Sequence, residues 1–231
     1  MKPSSIPAMP VLLSLTAGYV DTAGYLALQG LFTAHVTGNF VTLGASLVSG
    51  TSGVLAKLLA LPTFCAVIIV TRWASYRLAT GGLPILRTML SLKVALLAVA
   101  AVLAIRYGPF SNGDSGVALA TGLILVSAMA IQNAAQRIHL GGLPPTTIMT
   151  GTTTQIMIDL ADFMRGMPAE KKDAARPRLL RMAAAVMVFA SGCAAAAIIY
   201  ARAGVYCFLV PPLLGVGTLM FRMAAFEGDG R

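Results

Sequence analysis

The sequence contains few charged residues, and this scarcity argues against most soluble proteins. Only 11% of its 231 residues are Asp, Glu, Lys or Arg, whereas a soluble domain carries about 25%. Aromatic residues make up only 7%, and no strictly alternating segments of about ten residues occur, which argues against an outer-membrane β-barrel. What is missing therefore disfavours a soluble enzyme, a disordered chain and a barrel.

Cysteine and histidine are also scarce. Cys65, Cys193 and Cys207 lie inside apolar runs and form no CxxC pair, so we expect unpaired buried thiols rather than a disulfide scaffold. The only histidines are His35 and His139. With the cysteines scattered, these two residues predict no metal site, and nothing in the sequence indicates a cofactor.

Hydrophobic residues, in contrast, make up 57% of the chain and gather in long runs. A spanning helix needs roughly 20 mostly apolar residues, and only helices and closed barrels satisfy their backbone hydrogen bonds in lipid. The sequence therefore predicts an all-α polytopic membrane protein with the lipid bilayer as a partner. The net charge of +9 does not indicate nucleic acid, because Lys and Arg lie mostly between apolar runs, where they orient the chain.

Two of the apolar segments are too short to cross a membrane. Eight segments lie at about 11–28, 40–50, 54–74, 89–106, 116–138, 152–162, 182–201 and 204–222. The second and sixth hold about ten residues each, which at 1.5 Å per residue cover only half of a bilayer core. We expect these two to be half-helices, and the first segment to be a retained span rather than a signal peptide.

The two short segments follow similar sequences, which indicates an internal repeat. Residues 30–39 read GLFTAHVTGN, and residues 142–152 read GLPPTTIMTGT. Farther upstream, Asp21 aligns with Asn133. The second copy of the pattern contains one inserted residue between this position and the Thr-Gly pair.

Positive charge on two loops predicts the topology. The 72–87 stretch carries three Arg and no acid, and the 163–181 stretch carries six basic residues against two acids, so both should be cytoplasmic. They lie on one side only if the short segments are re-entrant, which gives six transmembrane helices with both termini cytoplasmic. A single membrane domain, 1–231, then consists of two inverted three-helix repeats, 9–110 and 114–225, each with a re-entrant half-helix. A bundle of seven or eight spans is the alternative.

The Thr-Gly motifs are the strongest candidates for a binding site. We expect them to open the two half-helices, with Asn39 and Thr152 as N-caps. Free backbone N–H groups and positive dipole ends would then meet near the middle of the bilayer, where they favour an anionic group. The candidate residues from these motifs are Thr37, Gly38, Asn39, Thr150, Gly151 and Thr152.

Asp21 is an ionisable residue near the middle of the first span, and such residues are functional candidates by default. It would bind a proton or a cation, pair with a base across the bundle, or serve as a hydrogen-bond acceptor that caps the adjacent broken helix. Its repeat counterpart Asn133, with Gln132 beside it, makes the predicted binding site asymmetric.

Three further residues are secondary candidates. His35 lies in the first polar loop and is either a local hydrogen-bonding group or a pH-sensing residue. Arg137 ends the fourth span and either marks the cytoplasmic side or flanks a cavity that attracts an anion. Asp159 shares a helix face with Asp162 and lies either on a solvated face or deeper in the protein.

A protease is the competing interpretation. Residues 50–53 read GTSG, which resembles the GxSG motif of rhomboid-type intramembrane serine proteases, with His139 as base and His35 and Asn39 as oxyanion helpers. Ser52 follows too soon after His35 for the two to come from separate spans, and a catalytic pair is defined by geometry rather than by a tetrapeptide. We therefore expect no enzyme, with an intramembrane hydrolase or a membrane scaffold as alternatives.

Four short motifs together resemble those of a known family: AGYVD at 17–21, HVTGN at 35–39, QNA at 132–134 and MTGT at 149–152 with Asp159. Through these motifs the chain resembles, over nearly its whole length, the YoaK family of bacterial inner-membrane proteins. The resemblance implies a multi-pass protein of the bacterial inner membrane, in a family defined as a domain of unknown function, and it implies no substrate.

The sequence predicts a transporter or channel for a small polar or anionic solute. Its binding site would lie at the repeat interface near the bilayer midplane, with proton coupling through Asp21. Small residues are frequent at 116–130 and 183–204. They let helices approach closely in lipid, so we also expect a homodimer.

Overall fold

The structure is a computed structural model that describes residues 8–80, 84–147, 149–166 and 168–228. Every regular element in these ranges is helical, which confirms the all-α prediction. Two short 3₁₀ helices occur at Val36–Gly38 and Gly204–Leu209. The α-helices are Ala8–Ala27 (α1), Asn39–Ser49 (α2), Val54–Thr80 (α3), Ile85–Tyr107 (α4), Gly116–His139 (α5), Met149–Arg165 (α6), Ala169–Ala203 (α7) and Val210–Gly228 (α8).

Several of these helices are long and apolar enough to cross a membrane. Among the described residues, four continuous stretches qualify, and the fourth, Ala175–Met220, contains most of α7, the second 3₁₀ helix and the first half of α8. Large apolar side chains such as Val70 and Leu213 lie on the outer surface, as expected where lipid is the solvent. The chain is thus a multi-pass membrane protein.

The two short segments form α2 and α6, which have 11 and 17 residues. At 1.5 Å per residue they are about 17 Å and 26 Å long, which is shorter than the hydrocarbon core of about 30 Å. Helix α6 is longer than the predicted segment 152–162, because it begins at Met149 and ends at Arg165. Helix α7 is also longer than expected, since its polar first turns contain good helix formers but no apolar signal.

Helices from the first half of the chain pack mainly against helices from the second half. Helix α1 lies mainly against α7 from the other half, and α3 lies against α5. Helix α4 packs on α5 and α8, and α8 in turn packs on α1. The largest buried core cluster is built mostly from α1, α3, α4 and α5, so neither half has a complete core of its own.

Glycine lets α1 and α7 touch through their backbones. A Cβ atom added to Gly192 would lie 2.3 Å from the carbonyl oxygen of Leu15, and one added to Gly18 would lie 2.1 Å from the carbonyl oxygen of Phe189. No Cβ fits at such distances, so this contact needs glycine on both helices. At Gly192 the small-residue segment 183–204 therefore serves packing within the chain.

Asp114 fixes the direction of α3 relative to α5. Its carboxylate, two residues before α5, accepts backbone N–H bonds from Gly53, Val54 and Leu55 at 2.8, 3.2 and 2.8 Å. It thus caps the N-terminus of α3, which places the N-termini of α3 and α5 side by side. The two packed helices run parallel, and their C-terminal ends lie at the same end of the protein.

Candidate functional site

A cavity of about 600 Å³ lies between α3, α5 and the two polar loops. Both sequence motifs contribute to its wall, with Thr37 from the first and Thr150 from the second. The lining residues are Ala34, His35, Val36, Thr37, Leu61, Phe64, Ile68, Arg72, Asn133, Ala134, Arg137, Ile138, Thr147 and Thr150. Small-molecule sites typically occupy about 300–1,000 Å³, so the cavity has the size of an organic ligand.

Asp21 holds the first polar loop in place. Its Oδ1 atom accepts backbone N–H bonds from Thr33 and Ala34, both at 2.8 Å, and from His35 at 3.3 Å. The side chain of His35 lies beside the other carboxylate oxygen, with 3.6 Å between Nδ1 and Oδ2. Asp21 is only 5% exposed and does not line the cavity itself. Its carboxylate is thus taken up by N–H groups of the loop that precedes α2.

Asn133 occupies the equivalent place in the second half. Its Oδ1 atom accepts a hydrogen bond from the Thr147 hydroxyl at 2.7 Å, and its Nδ2 donates to the carbonyl of Met129 at 3.0 Å. Unlike Asp21, Asn133 also lines the cavity. The second loop is thus held by a neutral amide, whereas the first loop is held by a carboxylate. Position 133 therefore supplies no carboxylate near the start of α6.

The predicted N-cap role of Asn39 is wrong. Asn39 is the first residue of α2, Gly38 stands at the N-cap, and the structure shows no side-chain cap. The Asn39 amide instead bonds the backbone of Phe32 twice, accepting from its N–H at 2.8 Å and donating to its carbonyl at 2.7 Å. A Cβ at Gly38 would lie 3.1 Å from the Phe32 ring, so the glycine lets this ring pack on the helix start.

The second motif also lies inside its helix rather than before it. Thr150, Gly151 and Thr152 occupy the first turn of α6, which begins one residue earlier at Met149. Thr152 is therefore not the N-cap, although it is buried. A Cβ at Gly151 would meet nothing within 4 Å, so no close packing explains this glycine.

Two arginines lie at one end of the cavity. Arg72 is near the C-terminus of α3 and Arg137 is near the C-terminus of α5. Because the two helices run parallel from the Asp114 cap, both guanidinium groups lie at the end away from that cap. Among the described residues neither forms an ion pair with an acid, and the Arg72 guanidinium stacks on the Tyr76 ring at 4.3 Å. Arg72 was not singled out in the sequence, although its place in a basic loop predicted a topological role.

Asp159 lies outside the cavity. It is 2% exposed, so the solvated-face interpretation is wrong, and it forms an ion pair with Arg178 of α7, with 2.7 Å between Nη2 and Oδ1. At the aligned position in the first half, the hydroxyl of Ser46 accepts a hydrogen bond from Lys57 of α3 at 2.6 Å. Each short helix is thus joined to the following long helix by one basic side chain.

Lys93 is a buried ionisable residue that the sequence pattern did not single out. It lies in α4, is 1% exposed, and donates from Nζ to Oε1 of Gln132 at 2.6 Å. Gln132 donates in turn to the Leu13 carbonyl at 2.9 Å and to the Thr146 hydroxyl at 3.1 Å. Gln132 is therefore a connector behind the second polar loop and not a cavity residue. A lysine inside an apolar run is an intramembrane ionisable residue, which was the available signal.

Geometry separates the residues of the protease alternative. The Ser52 hydroxyl accepts from the Gly113 N–H at 3.1 Å, which places Ser52 beside the N-terminus of α5. His139 is the last residue of that 24-residue helix, about 35 Å away along its axis. No group of three or more His, Cys, Asp or Glu suited to a metal ion occurs in the described part of the chain.

Comparison with known proteins gives one family and one relative. The model of a family described as "Protein of unknown function (DUF1275)" matches residues 9–221. The chain is 33% identical over 224 residues to the UPF0700 transmembrane protein YoaK of Bacillus subtilis (strain 168), and the match covers 94% of each protein. No solved structure matches the chain.

Proposed function

This chain belongs to the DUF1275 family of proteins of unknown function, as its motifs predicted, and we propose that it is a transporter or channel for a small polar or anionic solute. The observation that carries the proposal is the cavity shared by the two motifs. Thr37 and Thr150, which lie 113 residues apart in the chain, line the same space together with Asn133. Bringing broken helices of two repeats to one site is how many transporters bind their solutes.

The finer architecture is part of the same proposal. Six spans in two inverted repeats, 9–110 and 114–225, are supported by the pairing of the helices. Exchanging α1 with α5, α2 with α6, α3 with α7 and α4 with α8 turns each main contact into another observed contact. The α1–α7 pair becomes α5–α3, the α2–α3 pair becomes α6–α7, and the α4–α5 pair becomes α8–α1.

In this arrangement the loops with excess Lys and Arg face the cytoplasm, together with both chain termini, in the inner membrane of a bacterium. The parallel course of α3 and α5 supports it, because Arg72 and Arg137 then lie at the cytoplasmic end and Asp114 at the opposite end. We retain a homodimer as a proposal. Gly192 belongs to the small-residue segment on which the dimer expectation rests, but it packs against α1 within the chain. Cross-linking in membranes must therefore test the homodimer directly.

Asp21 has two proposed roles that substitution separates. Proton coupling needs a carboxyl that ionises, whereas holding the first polar loop needs only an oxygen that accepts hydrogen bonds. The contacts to Thr33, Ala34 and His35 support the second role. A coupled carrier loses solute-driven proton movement in Asp21→Asn, whereas a passive channel or uncoupled carrier does not.

Solute flux into proteoliposomes tests the proposal. The cavity-lining variants Thr37→Val and Thr150→Val should each reduce saturable uptake of radiolabelled small anions and polar solutes, because Val removes a hydroxyl and keeps the shape. Thr88→Val is the matched control, since Thr88 is exposed on α4, donates to the carbonyl of Pro84 and does not line the cavity. Equal uptake by all four proteins would reject the site. Uptake by wild type no faster than by empty liposomes would reject transport.

The alternatives remain a protease-like enzyme and a membrane scaffold. The distance between Ser52 and His139 disfavours a serine–histidine pair. Ser52→Ala provides the direct comparison, because it abolishes a protease and leaves a transporter nearly unchanged.

A further inference from the structure

We propose that the solute is an organic anion that combines one anionic head group with a compact apolar body. This inference rests on the proposed function and assigns a substrate class to the same cavity. Two features of the wall carry it: an apolar stripe along α3 and a pair of arginines at one end.

The apolar stripe occupies one face of α3. Leu61, Phe64 and Ile68 follow one another at helical spacing and all line the cavity, and Arg72 continues the same face one turn later. The distance from Leu61 to Arg72 along the axis is about 16 Å. Ala134 and Ile138 of α5 add to the apolar wall. A phosphate or sulfate ion has no apolar surface to bury against such a wall, whereas an aromatic or aliphatic body has.

The charged end selects an anion. Arg72 and Arg137 lie at the same end of two parallel helices, and none of the described lining residues is acidic. The Arg72 guanidinium stacks on Tyr76. A guanidinium group stacked on a ring can still donate from its edge to a carboxylate. Asp21 does not line the cavity, and its Oδ1 atom accepts N–H bonds from the first loop.

The polar groups of the two loops complete the wall. Thr37 and Thr150 line the cavity at exposed positions. Hydroxyl groups tolerate a polar substituent on the body of a ligand without requiring one. A neutral molecule of the same shape would offer the two guanidinium groups no ionic partner, so the head group and the body are both needed for tight binding.

Benzoate is a probe that has both features, and two partial probes separate them. Inorganic phosphate has the charge without the apolar body, and benzyl alcohol has the body without the charge. Purified full-length protein in nanodiscs of phosphatidylcholine should bind radiolabelled benzoate saturably and at least about tenfold more tightly than either partial probe. In proteoliposomes, benzoate should show saturable uptake.

Matched variants locate the binding. Arg72→Gln and Arg137→Gln should each weaken benzoate binding about tenfold, while Arg106→Gln, an exposed arginine at the end of α4, should not. For the apolar wall, Ile68→Thr should weaken binding, whereas Ile69→Thr should leave it unchanged, because Ile69 is exposed on the outside of α3.

The outcomes distinguish this inference from the proposed function. Saturable uptake of phosphate without uptake of benzoate would overturn the organic anion and keep the transporter. No uptake of any probe by folded protein would overturn both. An anionic lipid has the same combination of head group and apolar body, so the binding experiment is repeated with phosphatidylglycerol in the nanodiscs. Displacement of benzoate by this lipid, together with no uptake, would identify a lipid-binding site and overturn the solute.

Discussion

Replacement of Asp21 provides the sharpest test of how the first polar loop is held. Asp21→Asn keeps one oxygen for the N–H groups of Thr33 and Ala34, which it contacts at 2.8 Å, and removes only the charge. A hydrogen bond to a charged group contributes about 1.5–3 kcal/mol and a neutral one about 0.5–1.5 kcal/mol. For two short bonds the expected loss in the free energy of unfolding is therefore about 2 kcal/mol.

Asp21→Leu removes the acceptor altogether. Both N–H groups belong to buried residues, since Thr33 is 0% and Ala34 is 8% exposed. Each unpaired buried N–H costs about 1–3 kcal/mol, so the expected loss is about 4 kcal/mol and exceeds that of Asp21→Asn. Asn133→Leu is the control, because this side-chain oxygen accepts from the Thr147 hydroxyl and the loss of that bond should cost about 1 kcal/mol.

Thermal and denaturant unfolding in detergent measures the stability of the three variants. Solute-driven proton movement is measured for the same variants in proteoliposomes. The reasoning is refuted if Asp21→Leu is no less stable than Asp21→Asn, since the loop would then not depend on this acceptor. If Asp21→Asn folds and transports like the wild type, Asp21 is structural and proton coupling through it is rejected.

Three further predictions concern other contacts. Burial raises the pKa of the Asp114 carboxyl, but the backbone N–H bonds at the start of α3 outweigh burial and hold its pKa below the usual value. Its stabilisation is therefore complete above the ordinary carboxyl pKa of about 3.9 and disappears as the pH falls through the lowered value. Asp114→Ala should cost about 1 kcal/mol at neutral pH and less in acid, as measured by unfolding across pH; a cost that does not change with pH would contradict the cap. Gly192→Val should separate α1 from α7 and destabilise the protein by about 1–3 kcal/mol or more, whereas Gly44→Ala, with nothing within 4 Å, should not; equal melting temperatures would contradict the close contact. Gln132→Leu should destabilise the protein strongly because Lys93 loses its acceptor, and adding Lys93→Met should restore much of the stability; a double variant no more stable than Gln132→Leu alone would reject this coupling.

The helix positions were largely predictable from the sequence. The apolar segments 54–74 and 116–138 correspond to α3 and α5, because long apolar runs leave the chain few alternatives in lipid. The start of α7 was not predictable in this way, since its first turns are polar and give no apolar signal. Helix α6 extends three residues beyond its predicted segment at each end.

The site was predictable in its parts but not in its contacts. Alignment of Thr37 with Thr150 indicated that two distant residues belong together, and both line the cavity. The pattern did not show that Asn39 would bond the backbone of Phe32, because a residue suited to an N-cap bonds any nearby backbone group. Arg72 and Lys93 were passed over, since one was interpreted only as a topological marker and the other lay within a run that is otherwise apolar.

The packing of first-half helices against second-half helices determines when the protein becomes stable during its synthesis. The ribosome completes α1 more than 140 residues before it begins to supply the main partner of α1, which is α7 at Ala169–Ala203. The start of α3 likewise lacks its Asp114 cap until the second half has begun to emerge. The first half must therefore reside in the membrane with Gly18 and its neighbours unpartnered, a state that insertion and quality-control factors can recognise. Separately expressed halves should consequently be degraded alone and accumulate together.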